Sequence, residues 1–288
     1  MSRWASSALD PDSSKVFSAL EEGRSVGLIA SYDLICCEAD DDLATAVRRR
    51  DLRDFDHVPV KDGEHIVGLL SRARFEHHPQ SSGTLVGDVM DRLSEDLLIS
   101  SEAGILSYVE QAGDHPCRLV LRGSSLDGIV TLSDLHRLPV RPALFMLVTH
   151  VELLMARWIR SAHPVDESLL TLLSQGRRDK VEHEWIRQRE DNFEVDLLTA
   201  THFSDKRELL LKLHFPLRNE EQARAELESI ENHLRNPVAH AGEYAYSPKA
   251  AQETVKAVKN ARRWIRDIER DLYKGFGGHT PGGPVEDD

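Results

Sequence analysis

Arg235, Asn236 and His240 stand together in the run Arg235-Asn236-Pro237-Val238-Ala239-His240. A histidine moves a proton, an arginine holds a charged phosphate and an asparagine fixes geometry, so this set can cleave RNA without a metal. An ordinary imidazole titrates near about 6.5, which suits it to act as acid or base near neutral pH. A second set is Thr131 and Asp134. A hydroxyl opening a helix leaves backbone N–H groups aimed at an anion, and a carboxylate one turn later lies on the same face. Ser71 opens a helix in the same way earlier in the chain, but Arg74 stands where the carboxylate would be and could pair only with phosphate. His57 and His115 precede two central strands, where they would line a cleft or sit as turn residues.

The chain must position these groups within 288 residues, room for two domains. It is 40% hydrophobic and 30% charged, with a net charge of −13. A broad basic nucleic-acid surface is therefore excluded, and any RNA contact must be local. No stretch of about 18 uninterrupted apolar residues is present. The most apolar stretch, 143–159, is broken by His150, Glu152 and Arg157 and reads as a buried helix, so no membrane partner is expected. Its charged groups need partners, which makes His150 and Glu152 candidates for a supporting or interface role. The first twelve residues lack the apolar core of a secretory signal. Three cysteines without metal or disulfide spacing suit a reducing cytoplasm, and no metal site is expected.

The first half repeats itself. Gly63 and Gly123, Gly68 and Gly128, and Ser71 and Thr131 are each 60 residues apart. Each copy reads as strand, glycine turn, strand, then a hydroxyl opening a helix, with upstream helices at 43–50 and 103–111, giving β-α-β-β-α. The segments Asp56-His57-Val58-Pro59-Val60 with Gly68-Leu69-Leu70-Ser71, and Val86-Gly87-Asp88-Val89-Met90 with Gly128-Ile129-Val130-Thr131-Leu132-Ser133-Asp134, resemble the CBS domain, which occurs as tandem pairs called Bateman modules. The resemblance covers residues 15–140. It implies that an adenine nucleotide or adenosyl ligand sits in a cleft between the repeats, with Thr131 facing phosphate and Asp134 taking the ribose hydroxyls. ATP could bring magnesium. The first-repeat site, at Ser71 and Arg74, is expected to be degenerate or altered.

Beyond a proline-bracketed hinge at 138–142 strand patterns vanish. Helices are predicted at 143–162, 166–174, 177–190, 196–202, 205–214, 219–234 and from Ser247 to about Lys274, with residues 275–288 as a disordered tail. Pro237 is expected to push Asn236 out of the α region, so that one helix ends near Arg235 and a short helical turn begins at Asn236. A phosphate could then be held at that N-terminus. The arrangement resembles the HEPN superfamily, an all-helical family whose nuclease members carry Arg, a polar residue, then His four to six positions after the Arg. Arg235, Asn236 and His240 match that pattern, and the helical domain spans 143–274. Some toxin members place a Tyr after the His; Tyr244 lies at a different spacing.

The expected architecture is an α/β CBS-pair N-terminal domain plus an all-α HEPN-like helical C-terminal domain. The two resemblances imply a metal-independent endoribonuclease regulated by an adenine nucleotide, acting as a toxin or antiviral defence effector. They also imply a homodimer or higher oligomer in which two copies of His240 flank the scissile phosphate. RNA is the implied substrate, its 2′-OH the nucleophile, and the products a 2′,3′-cyclic phosphate and a 5′-hydroxyl. The alternative is a non-catalytic nucleotide sensor whose helical domain binds a partner.

Overall fold

The computed structural model describes residues 13–52, 54–72, 83–190, 196–216, 219–239 and 244–276. The chain forms two compact units, one of residues 21–141 with 245–251, the other of 1–20, 142–244 and 252–288. Helices run in the order α1 (Ser13–Glu22), α2 (Leu43–Ala46), α3 (Val86–Val89), α4 (Ile105–Gln111), α5 (Val140–Ala162), α6 (Glu167–Leu170), α7 (Gln175–Glu190), α8 (Phe203–Lys212), α9 (Glu220–Ile230), α10 (Asn236–Ala239) and α11 (Pro248–Phe276).

The α/β unit holds two small sheets. The first is β1 (Cys37–Glu38), β2 (His57–Asp62), β3 (His65–Ser71) and β4 (Asp91–Arg92); the second is β5 (Leu98–Ser100), β6 (Cys117–Arg122) and β7 (Ser125–Thr131). In each, a parallel pair is joined to an antiparallel hairpin. The 60-residue repeat survives in the register. His57 pairs with Ser71 as Cys117 pairs with Thr131, and Val60 with Gly68 as Val120 with Gly128. The same bulge follows Val60 and Val120. Gly63 and Gly123 turn the hairpins at φ of 61° and 63°, the left-handed region that a side chain resists. At Gly68 a methyl group would lie 2.5 Å from the Asp91 carbonyl, so the β3–β4 approach requires glycine.

The repeat also extends further back than Gly63 suggests. Leu69 pairs with Asp91 where Ile129 pairs with Ser31, again 60 residues apart. The lead-in of each copy bonds to the other copy: Val26 and Gly27 donate to Ala103 and Ser101 (2.7 and 2.8 Å), while Val86 and Gly87 donate to Asp41 and Ala39 (3.0 and 2.8 Å). Ile66 and Leu69 of the first copy pack with Cys117 and Leu119 of the second. Burial pushes the Cys37 and Cys117 thiols up to about 12, which leaves them inert. The helix after Thr131 is a five-residue 3-10 segment, Leu132–His136, shorter than the pattern suggested.

In the helical unit, α5 buries Leu144, Leu147, Val151, Met155 and Ile159. It begins at Val140 rather than after Pro142, because proline in a first turn costs no hydrogen bond. By length and composition α5 could cross a membrane, yet most of its apolar window is buried inside the protein. Residues 15–20 of α1 belong to this unit and not to the α/β unit where the sequence placed them. Phe17 stacks on His150 at 4.6 Å and lies under Arg262. The sequence alone does not place α1, since a lone amphipathic helix does not say which surface it covers. Asp205, buried, accepts from the His202 N–H at 2.9 Å and from Arg177 Nε at 2.7 Å, tying α8 to α7.

Candidate functional site

The α/β unit contains a cleft of about 590 Å³, lined by residues from both repeats. This is a common size for a small-molecule site. One wall comes from residues 54–59, at the entry to β2. A second stretch of the lining comes from 129–137, at the end of β7 and the 3-10 segment. Residues 31–35 and 245–251 complete it. Of the sequence candidates, Thr131, Asp134 and His57 converge on this cleft, while Ser71 and His115 are not among its lining residues. Ser71 is the register partner of His57, and the His115 N–H bonds to Gln111. Arg74 lies outside the described residues.

The local geometry at Thr131 follows from its place as N-cap. The Thr131 N–H donates to Asp134 Oδ2 at 2.7 Å, and the Thr131 and Ser133 hydroxyls are 2.7 Å apart. Asp134 is not solvated. Its other oxygen takes Arg137 Nε at 2.8 Å, and Arg137 in turn donates to the Ala30 carbonyl at 2.9 Å and the Ser31 hydroxyl at 2.6 Å. Burial raises the Asp134 carboxyl above the usual range despite these donors. His57, by contrast, is held below its ordinary value, chiefly by burial. Arg137, Ser133, Phe55 and Tyr246 went unread in the sequence. Arg137 carried a weak signal, three residues past Asp134, whereas Tyr246 reaches the cleft from a distant segment that no local pattern announces.

Among the described residues the ionisable lining is mostly acidic: Asp33, Asp54, Asp56 and Asp134 stand with Arg137, His57 and His136. Asp56 is paired with Arg72 at 3.2 Å and Asp134 with Arg137. A polyphosphate entering this cleft would meet like charge unless a divalent cation came with it. A monophosphate, nucleoside or adenosyl group meets less.

The arginine-asparagine set is built differently from the sequence expectation. Residues Glu231–Arg235 form a π turn, and Asn236 remains helical at φ −67°, ψ −50°. The Asn236 N–H bonds back to Glu231, five residues earlier. The widened turn relieves the clash that the Pro237 ring would make with the preceding turn, so the helix passes through instead of breaking. No helix N-terminus opens at Asn236, and the expected cradle of free N–H groups is not formed there. Arg235 is half-exposed and donates to Asn236 Oδ1 at 3.2 Å. His240 lies outside the described residues, as do residues 277–288 of the expected tail; Gly275 and Phe276 end α11.

The supporting candidates have partners of their own. Glu152 accepts from the buried Lys206 at 3.0 Å. His150 stacks on Phe17 with Nε2 3.7 Å from Glu269, and burial lowers its proton affinity. Tyr244 is buried, its carbonyl accepting from Thr254. Among the described residues no group of three or more His, Cys, Asp or Glu side chains is placed to hold a metal ion.

Neither the protein-family models nor the curated proteins contain a match to the chain. Solved structures do resemble its α/β part. The CBS domain of a bacterial CNNM/CorC family Mg2+ transporter in complex with ATP is 18% identical, with 41% of this chain and 89% of that one covered and a TM-score of 0.35. CBSX2 in complex with AMP is 18% identical over 42% and 97%, with a TM-score of 0.35. A conserved protein from Pyrococcus horikoshii is 17% identical over 39% and 89%, with a TM-score of 0.34.

Proposed function

We propose that the chain is a small-molecule sensor of the tandem CBS type, and that its helical unit is the effector it controls. The observation that carries this reading is the convergence of Thr131, Asp134 and His57, drawn from two copies of one repeat, on a single cleft. The ligand is an adenine nucleotide or adenosyl compound. The Thr131 and Ser133 hydroxyls meet its phosphate or ribose, and Asp134 accepts from ribose when its bond to Thr131 opens. The acidic lining favours AMP over ATP, and favours ATP more once magnesium is added. AMP and ATP, the ligands of two of the similar structures, are the first probes.

Calorimetry tests this. Thr131→Val keeps shape and removes one hydroxyl, so AMP affinity should fall about tenfold, the worth of one hydrogen bond to a charged group. Equal AMP affinity in wild type and variant would remove Thr131 from the site.

For the effector, we infer metal-independent RNA cleavage of the HEPN kind by Arg235, Asn236 and His240 in a homodimer. The exposure of Arg235 on a π turn, a feature frequent at functional sites, favours it. Arg235 would stabilise the charged phosphorane, Asn236 would hold Arg235 in place, and His240 would move the protons. Without a helix N-terminus at Asn236, the phosphate depends on the arginine side chain. A non-catalytic effector that binds a partner is the second reading. The net charge of −13, unfavourable for RNA, speaks for it.

A further inference from the structure

The segment Ala245–Ala251 belongs to the α/β unit although the residues on both sides of it belong to the helical unit. It brings Tyr246 to the cleft wall. Tyr246 is 67% exposed, and its hydroxyl has no partner among the described residues. Phe55, 45% exposed, lines the same cleft. Large aromatic faces left open on a concave wall are suited to a flat, apolar-faced ligand group. The backbone carrying Tyr246 is fixed just beyond it. The Ser247 hydroxyl accepts the Ala250 N–H at 3.2 Å, the Ser247 carbonyl accepts the Ala251 N–H at 2.9 Å, and Pro248 begins α11.

We propose that Tyr246 is the stacking residue for the base of the ligand, so that an occupied cleft holds the first turn of α11. The proposal rests on the nucleotide reading of the cleft and adds to it the residue that recognises the base. α11 is one continuous helix from Pro248 to Phe276, and its residues from 252 onward are part of the helical unit.

The test measures dissociation constants of the full chain for AMP, adenosine and ribose 5-phosphate, with Tyr246→Ala and Tyr246→Phe beside the wild type. Stacking predicts that AMP and adenosine bind about tenfold or more weakly to Tyr246→Ala. Tyr246→Phe should bind them as wild type does, and ribose 5-phosphate, which has no base, should not discriminate. Unchanged melting temperatures confirm that the variants fold. Wild-type AMP affinity in Tyr246→Ala, tighter binding there, or an equal loss for ribose 5-phosphate would overturn the stacking role while leaving the nucleotide reading intact. Failure of AMP and adenosine to bind the wild type would overturn both.

Discussion

On the proposed ribonuclease reading, His240→Ala is expected to lower RNA cleavage in the presence of chelator by about 10²–10⁴-fold, the usual worth of a positioned acid or base. Gel analysis of total RNA, with AMP present and absent, measures it. Arg235→Ala should cost about 10²–10³-fold on the same reading, because it would remove the charge proposed to balance the phosphorane. Arg235→Lys should recover only part of that loss, since an ammonium keeps the charge but not the planar fork. The fragments should end in 2′,3′-cyclic phosphate. Full cleavage by His240→Ala would assign the activity elsewhere. A wild type that binds nucleotide and leaves RNA intact in every condition would establish the partner-binding alternative.

The second large effect is on stability. Arg177→Ala should destabilise the helical unit by about 3 kcal/mol, the lower end of what breaking a buried ion pair costs. The reason is Asp205, only 2% exposed. It accepts two bonds from Arg177 and one from the His202 N–H, and without the guanidinium it is a buried carboxylate with two donors fewer. Arg177 itself is a third exposed, which keeps the effect from the top of the range. The melting temperature should fall by about 10 °C. Adding Asp205→Asn to Arg177→Ala should recover part of the loss, because an amide leaves no uncompensated charge. A double variant less stable than the sum of its single changes would contradict this account.

The α/β unit was readable because its signals are local and doubled. Gly63 and Gly123 each mark a left-handed turn, and strand alternation around them fixes which residues face the core. One copy could have arisen by chance, but the second repeats the bulge and the register. Several helix starts were also legible, since Asp166, Asp196, Asn219 and Ser247 announce them through their side-chain oxygens, but the helix expected at 166–174 ends at Leu170 and the one expected at 196–202 is a 3-10 turn, Leu197–Ala200. What stayed hidden was set by contacts distant in sequence or by competing local options. Pro237 suggests a break, yet a π turn accommodates it at the cost of one widened hydrogen bond. Phe17 finds His150 more than a hundred residues away. Asp134 reads as free for a ligand in the sequence, whereas in the fold Arg137 reaches both it and Ala30–Ser31. Tyr246, six positions past His240, reads as part of the loop before the last helix. Only the fold puts it on the same cleft as Thr131.

Hydrogen exchange on the full chain, with and without AMP, tests the central claim most directly. The account predicts that AMP slows exchange in the peptides covering residues 31–35, 54–59 and 131–137, the three segments that build the cleft from the two repeats. Saturating AMP that leaves exchange in all three unchanged would contradict it.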